Sequence, residues 1–237
     1  MPPKKALYIG MDVANFNTVV SYRWTGDAET TIVGSKDDDT SEHPFPSTVY
    51  AAYTTIEGDK GDNAAMQQNR DISGEKHDEG GVSIHVEGFK PLFHIKRSTD
   101  VPNAIRKYLK DSCNTTVENN PQRVASGGLL MRVHRGAMVT SVDPVLCMKA
   151  FLQFLQQKTV EKTRVDLSQE VEVFITASCP IDVPLKAAEE LKEMIREVWT
   201  SGGLQKAKVT VQVTREPFSG ALFVQDWVFN KHSTKLD

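Results

Sequence analysis

No stretch of this sequence approaches the ~20 consecutive apolar residues that span a bilayer, so a membrane-spanning helix is not expected. Cysteine is scarce. Cys113, Cys147 and Cys179 are odd in number and far apart, which fits neither a disulfide framework nor a zinc knot. They read as three reduced thiols of an intracellular protein. An excess of positive charge is also lacking: 28 Lys and Arg stand against 31 Asp and Glu, a net charge of −3. Nucleic-acid and membrane-surface partners need a clustered basic face, so neither is expected. The N-terminus has two lysines, but its apolar run stops at Asp12 and makes no secretory signal. A cytoplasmic or nuclear location follows as an expectation, and the sequon at Asn114 then carries no meaning. Also missing are the P-loop phosphate pattern, the dinucleotide G-x-G-x-x-G, the G-x-S-x-G elbow and the H-E-x-x-H zinc helix.

What is present is enough for a sizeable core. The apolar fraction of 39% rises to near the usual level once the 15 glycines are counted. Residues 6–14 are mostly apolar and predict a buried first strand turning near Asn15 to Asn17. The β-branched alternation of 18–24 predicts a returning strand, and Thr30 to Val33 a third. From Gly34 to Gly81 the composition turns polar and glycine-rich. Only His43 to Tyr53 looks ordered there, as a turn leading into a strand, and Glu57 to Gly80 reads as a mobile loop. Val82 to Val86 alternates again, and the runs 127–133 and 136–142 read as a hairpin. The first half is therefore expected to be all-β.

The helix signals lie further on. Ser141 or Asp143 can cap, Pro144 suits a first turn, and Val145, Met148, Phe151, Leu152 and Leu155 recur at helical spacing to about Thr163. Val171 to Ala177 is a continuous apolar run, as in a strand covered on both faces. A second helix starts near Asp182 and Pro184, with a stripe of Leu185, Ala188, Leu191, Ile195 and Val198, and stops at Ser201-Gly202-Gly203. Val209 to Val213 predicts a strand and Ser219 to Phe229 a final helix. This alternation implies parallel pairing through a crossover.

For chemistry, the histidines are scattered; His85 and His94 lie nine apart and are not read as a metal pair. Cys179 precedes Pro180 at a strand end, and a structural thiol is the simpler reading. One constellation stands out: a buried strand ends at Gly10-Met11-Asp12 and turns tightly through Val13 to Asn17. An aspartate at such a bend can hold a hydrated divalent cation while turn amides face phosphate, although aspartates in turns are also common as structural residues.

The order of these elements resembles the nucleotide-binding domain of the seventy-kilodalton heat-shock chaperones, within the actin-like ATPase superfamily. The stretch from Tyr8 to Val20 looks like that family's first phosphate loop, I-G-I-D-L-G-T-T-x-S-x-V. Pro46-Ser47-Thr48-Val49-Tyr50 looks like its P-S-x-V strand, and Phe93-His94-Ile95-Lys96-Arg97 like the segment bearing its catalytic lysine. Val173 to Pro180 falls where the family has V-x-T-V-P-A, and Arg215 to Leu222 looks like N-E-P-T-A-A-A-x. The resemblance implies an α/β fold: a ribonuclease-H-like mixed sheet with helices, formed by 1–34 and 127–237, with a smaller subdomain, 35–126, inserted.

The resemblance also implies roles. Asp12 would support the magnesium shell, and Glu216 would bind the ion through water. Lys96, with Lys90 as its neighbouring alternative, would orient the attacking water. Ala14, Asn15 and Phe16 stand where the family has a glycine and two threonines facing phosphate; glycine permits close backbone approach and the hydroxyls donate. The family's second phosphate loop and adenosine-binding lobe do not follow in this sequence, so the expectation is a first lobe that binds ATP and magnesium weakly and hydrolyses ATP negligibly alone. Its partners would be nucleotide and a client protein or cochaperone. The rival expectation is a non-enzymatic interaction module that has lost nucleotide binding and self-associates through the uncovered lobe face.

Overall fold

A computed structural model describes residues 6–13, 17–34, 45–53, 71–74, 82–123, 125, 127–135, 138–179, 183–201 and 206–215. In chain order, the first strands are β1 (Ala6–Val13), β2 (Asn17–Trp24), β3 (Thr31–Val33), β4 (Phe45–Pro46), β5 (Thr48–Tyr53), β6 (Asp71–Ser73) and β7 (Val82–Glu87). Then come helix α1 (Asn103–Cys113) and strands β8 (Thr115–Asn119), β9 (Leu129–Arg135) and β10 (Met138–Val142). Helix α2 (Pro144–Thr163), β11 (Glu172–Cys179), α3 (Leu185–Thr200) and β12 (Lys208–Arg215) complete the described elements. The fold is mixed α/β. The chain divides into two compact units, one of residues 1–45 and 159–237 and the other of residues 46–158.

The first unit is built on a mixed sheet in the order β12-β11-β1-β2-β3, with β4 pairing to β2. β1 runs antiparallel to β2, and β2 to β3. β11 is parallel to β1, and β12 is parallel to β11. The predicted opening of three strands and the later parallel strands are thus all present. Period-two alternation places Leu7, Ile9, Met11 and Val13 in the core and leaves Tyr8 and Asp12 exposed. Each such buried aliphatic side chain contributes roughly 1.5–3 kcal/mol.

β11 was expected to be covered on both faces. Among the described residues it alternates instead: Val173, Ile175 and Ala177 are buried, Phe174 is half-buried and Thr176 is exposed. Its apolar run reads as continuous because Phe174 stacks on Tyr8 of the neighbouring strand, ring centroids 5.2 Å apart. That contact rewards an apolar residue on the outer face as well.

α3 links β11 to β12 and packs on β12. Its buried face carries Ala187, Ala188, Leu191, Met194, Ile195, Val198 and Trp199. Leu185 departs from the predicted stripe: as the first helical residue it stands at 69% exposure, one position after Pro184, before the helix reaches the sheet. The predicted helix 219–229 lies outside the described residues.

The second unit holds two three-stranded antiparallel sheets, β6-β5-β7 and β10-β9-β8. The β9–β10 hairpin, grouped with the first subdomain in the sequence reading, pairs with β8 and lies in this unit. The reason is the register Thr115↔Val133 to Asn119↔Leu129, which makes β9 the central strand of that sheet. Within the stretch read as a loop, 57–80, residues Asp71–Ser73 form strand β6 against β5; the remaining loop residues, apart from Gly74, lie outside the described set.

The first half is also not all-β, because α1 occupies 103–113. Its sequence is strongly charged, and only Leu109 and Cys113 are fully buried, so the apolar stripe is narrow. Pro102 stands at its N-cap and Asn114 ends it in the left-handed conformation (φ 48°).

Helix α2 starts where predicted. Of the two candidate caps it uses Asp143, whose Oδ1 accepts a hydrogen bond from the Val145 amide at 2.8 Å. The Asp143 Oδ2 atom meets Arg123 Nη2 at 2.9 Å.

Candidate functional site

The candidate site begins at the C-terminal end of β1. In sheets with parallel strands, ligands gather outside the carboxyl ends of those strands, and β1, β11 and β12 all point their carboxyl ends the same way. The register there reads Val19, Asp12, Ser178 and Thr214 across β2, β1, β11 and β12. Alternation puts Met11 and Ala177, one residue earlier, into the core. Asp12 is exposed, whereas Ser178 beside it is 93% buried, at 7% relative exposure.

The Ser178 hydroxyl donates to Asp12 Oδ1 at 2.5 Å. A hydroxyl-to-carboxylate bond of this length is charge-assisted and among the stronger kinds. Thr214 Oγ1, one strand further, contacts the Ala177 carbonyl at 3.5 Å. The strand end therefore presents one carboxylate and two hydroxyls.

The other expected site residues divide. Ala14, Asn15, Phe16 and Glu216 lie outside the described residues. Lys96 is an exposed residue of the second unit. Its carbonyl accepts a hydrogen bond from the Gly128 amide at 2.8 Å. Gly127, at φ +70°, passes so close that a Cβ there would stand 2.9 Å from the Lys96 Cβ, so the backbone at Lys96 is closely fitted. Lys90, the neighbouring candidate, is buried, with its ammonium 4.6 Å from the Phe151 ring centroid. Phe151 in turn meets Phe89 edge-on at 5.8 Å. Lys90 is therefore committed to the packing of its own unit.

Two of the thiols, Cys113 and Cys147, are not poised as nucleophiles. All three are buried. Burial pushes the Cys147 thiol far up, with the Asp143 carboxylate adding to the shift. Burial also pushes Cys113 up, although its hydrogen bond with Tyr108 works the other way. Tyr108 is itself raised, by burial first and then by that same bond. Protonated thiols make poor nucleophiles and poor metal ligands. His85 lies on β7, where its Nε2 is 3.2 Å from Thr48 Oγ1 and 3.7 Å from Glu87. Among the described residues no group of three or more His, Cys, Asp or Glu is placed to hold a metal ion. No described helix is long and apolar enough to cross a membrane.

Sequence reasoning singled out Asp12 but not Ser178 and Thr214, which the strand register sets near it. The signal was faint: two hydroxyl residues near strand ends, in strands whose relative register no local pattern specifies. No family model matches the chain, and no curated protein matches it.

Proposed function

We propose that this chain carries the first lobe of a divergent actin-like ATPase of the seventy-kilodalton heat-shock type, and that the end of β1 is a weak half-site for magnesium-ATP. The observation that carries the reading is the five-strand order β12-β11-β1-β2-β3 with Asp12 at the carboxyl end of its central strand. An antiparallel opening of three strands followed by two parallel strands supports the ribonuclease-H-like arrangement that the motif order implies. Residues 46–158 form a compact unit of their own, which supports an insertion, with boundaries other than the expected 35–126.

The donors at the strand end suit the expected ion. Magnesium prefers oxygen ligands, keeps several waters and is commonly held through one or two carboxylates plus substrate phosphates. Asp12 offers one exposed carboxylate beside two hydroxyls. Asp12 would hold the ion, with Glu216 contributing through water. When bound, magnesium would neutralise charge on the phosphates. Ala14, Asn15 and Phe16 supply neither the glycine nor the hydroxyls of the related loop, which is why the half-site is proposed to be weak.

A second reading, a non-enzymatic interaction module, draws support from Tyr8. This residue is 44% exposed on the outer face of the sheet, stacked on Phe174. Calorimetric titration of the purified chain with magnesium-ATP separates the two readings. Saturable heat that is lost in Asp12→Asn and Glu216→Ala is the expected result for the half-site. Silence up to millimolar nucleotide, from a chain with a cooperative unfolding transition, would favour the interaction module.

A further inference from the structure

From the pairing of Asp12 with Ser178 we infer that Ser178 is a positioning residue for the cation-binding carboxylate, a role that nothing in the resembling motif anticipates. The inference rests on the reading of Asp12 as a cation ligand. In the family pattern V-x-T-V-P-A the corresponding stretch offers a proline near this strand end, which has no side-chain donor. Here the strand ends Ala177-Ser178-Cys179, and Ser178 is the in-register partner of Asp12.

Three features set this contact apart from an ordinary surface hydrogen bond. The partners are 166 residues apart in sequence, so the bond exists only once β1 and β11 have paired. Ser178 is buried, at 7% exposure. Its hydroxyl has therefore left water, and losing its acceptor would leave a desolvated polar group. Asp12, by contrast, remains exposed and keeps access to solvent and to any ion arriving from it. Donation to Oδ1 at 2.5 Å restrains the carboxylate's rotation and leaves Oδ2 as the oxygen for a hydrated cation. A ligand held in one rotamer loses less entropy when it binds, and partners that orient a metal-binding carboxylate typically matter by about tenfold or more in affinity.

The test uses the full chain labelled with carbonyl-carbon-13 at the aspartate side chains, with the Asp12 resonance assigned through Asp12→Asn. Two quantities are read in the wild type, Ser178→Ala and Ser178→Thr. One is the chemical shift of the Asp12 carboxyl carbon without metal. The other is the concentration of manganese(II), in the presence of ATP, at which that resonance is broadened by half. Ser178→Ala is expected to move the resonance and to raise the manganese requirement about tenfold, with the fold intact by near-ultraviolet circular dichroism. Ser178→Thr keeps the hydroxyl and is expected to restore both. A resonance that does not move in Ser178→Ala would overturn the inference, because the bond would then not hold the carboxylate. A resonance that moves while the manganese requirement stays unchanged would also overturn it, leaving Ser178 a structural residue and Asp12 a ligand. If manganese never broadens the wild-type Asp12 resonance, the ligand reading of Asp12 fails and the positioning role fails with it; the wild-type trace alone distinguishes that case.

Discussion

At the scale of single residues, the buried thiols make the clearest statement about solution behaviour. Cys147 and Cys113 are both held above the ordinary thiol value, with burial as the leading cause. The sign follows from linkage. Above about pH 9 the thiols of the unfolded chain lose protons, whereas the folded chain keeps them. The unfolded state then binds fewer protons than the folded one, so stability falls as pH rises. Tyr108, also raised, adds to the decline at still higher pH. Urea unfolding followed from pH 7 to pH 10.5 should show a midpoint that is level at first and drops beyond about pH 9. Cys147→Ala should make that drop shallower. A midpoint independent of pH over this range would mean that the thiols are not desolvated in the folded chain. Asp166 contributes in the opposite direction: hydrogen bonds from Ser168 hold its carboxyl below its usual range, so what it adds to stability is lost in acid.

At the scale of elements, helix α2 depends on one side chain at its start. Asp143 accepts from the Val145 amide and pairs with Arg123, while its own carbonyl accepts from the Cys147 amide at 3.0 Å. An N-cap is worth about 1 kcal/mol, and a partly buried ion pair to arginine adds to that, since removing one partner strands the other. Asp143→Ala should therefore lower the unfolding free energy by about 1–3 kcal/mol, whereas Ser141→Ala, at the cap position not used, should cost less. Chemical denaturation of the two variants side by side decides between them. The helices that proved legible, α2 and α3, share a proline at their start and a broad apolar face. The helix that went unread, α1, lacks the last of these. Only Leu109 and Cys113 of its eleven residues are fully buried, against seven in α3.

At the scale of the whole molecule, the two units differ in how the chain reaches them. Residues 46–158 form one unit from a continuous stretch, while the other is assembled from two stretches, 1–45 and 159–237. The pairing of β1 with β11 joins residues as far apart as Asp12 and Ser178, whereas β8, β9 and β10 are successive in sequence and pair in order. Closing a long loop costs entropy before the contact rewards it, so non-local pairing is slow. Pulse-labelled hydrogen exchange during refolding should find the amides of β9 protected before those of β11. Simultaneous protection would argue that the two units fold as one. The same topology explains why a site at the end of β1 depends on residues far along the chain.

The sequence by itself determined the elements whose signals are local: the opening three strands, the β9–β10 hairpin, the cap of α2, the main faces of α2 and α3, and the parallel pair β11 and β12. It also singled out Asp12, because an aspartate closing a buried strand is visible in a dozen residues. Only the tertiary structure decided what stands beside Asp12. Ser178 reaches it through the register of two strands, and register is set by how distant side chains pack rather than by any neighbour in the chain. It also decided that Leu185 stays in solvent, that β11 has an outer face shared by Tyr8 and Phe174, and that the β9–β10 hairpin joins β8. Each of these depends on which surfaces meet, and burial is a property of the meeting and not of the residue.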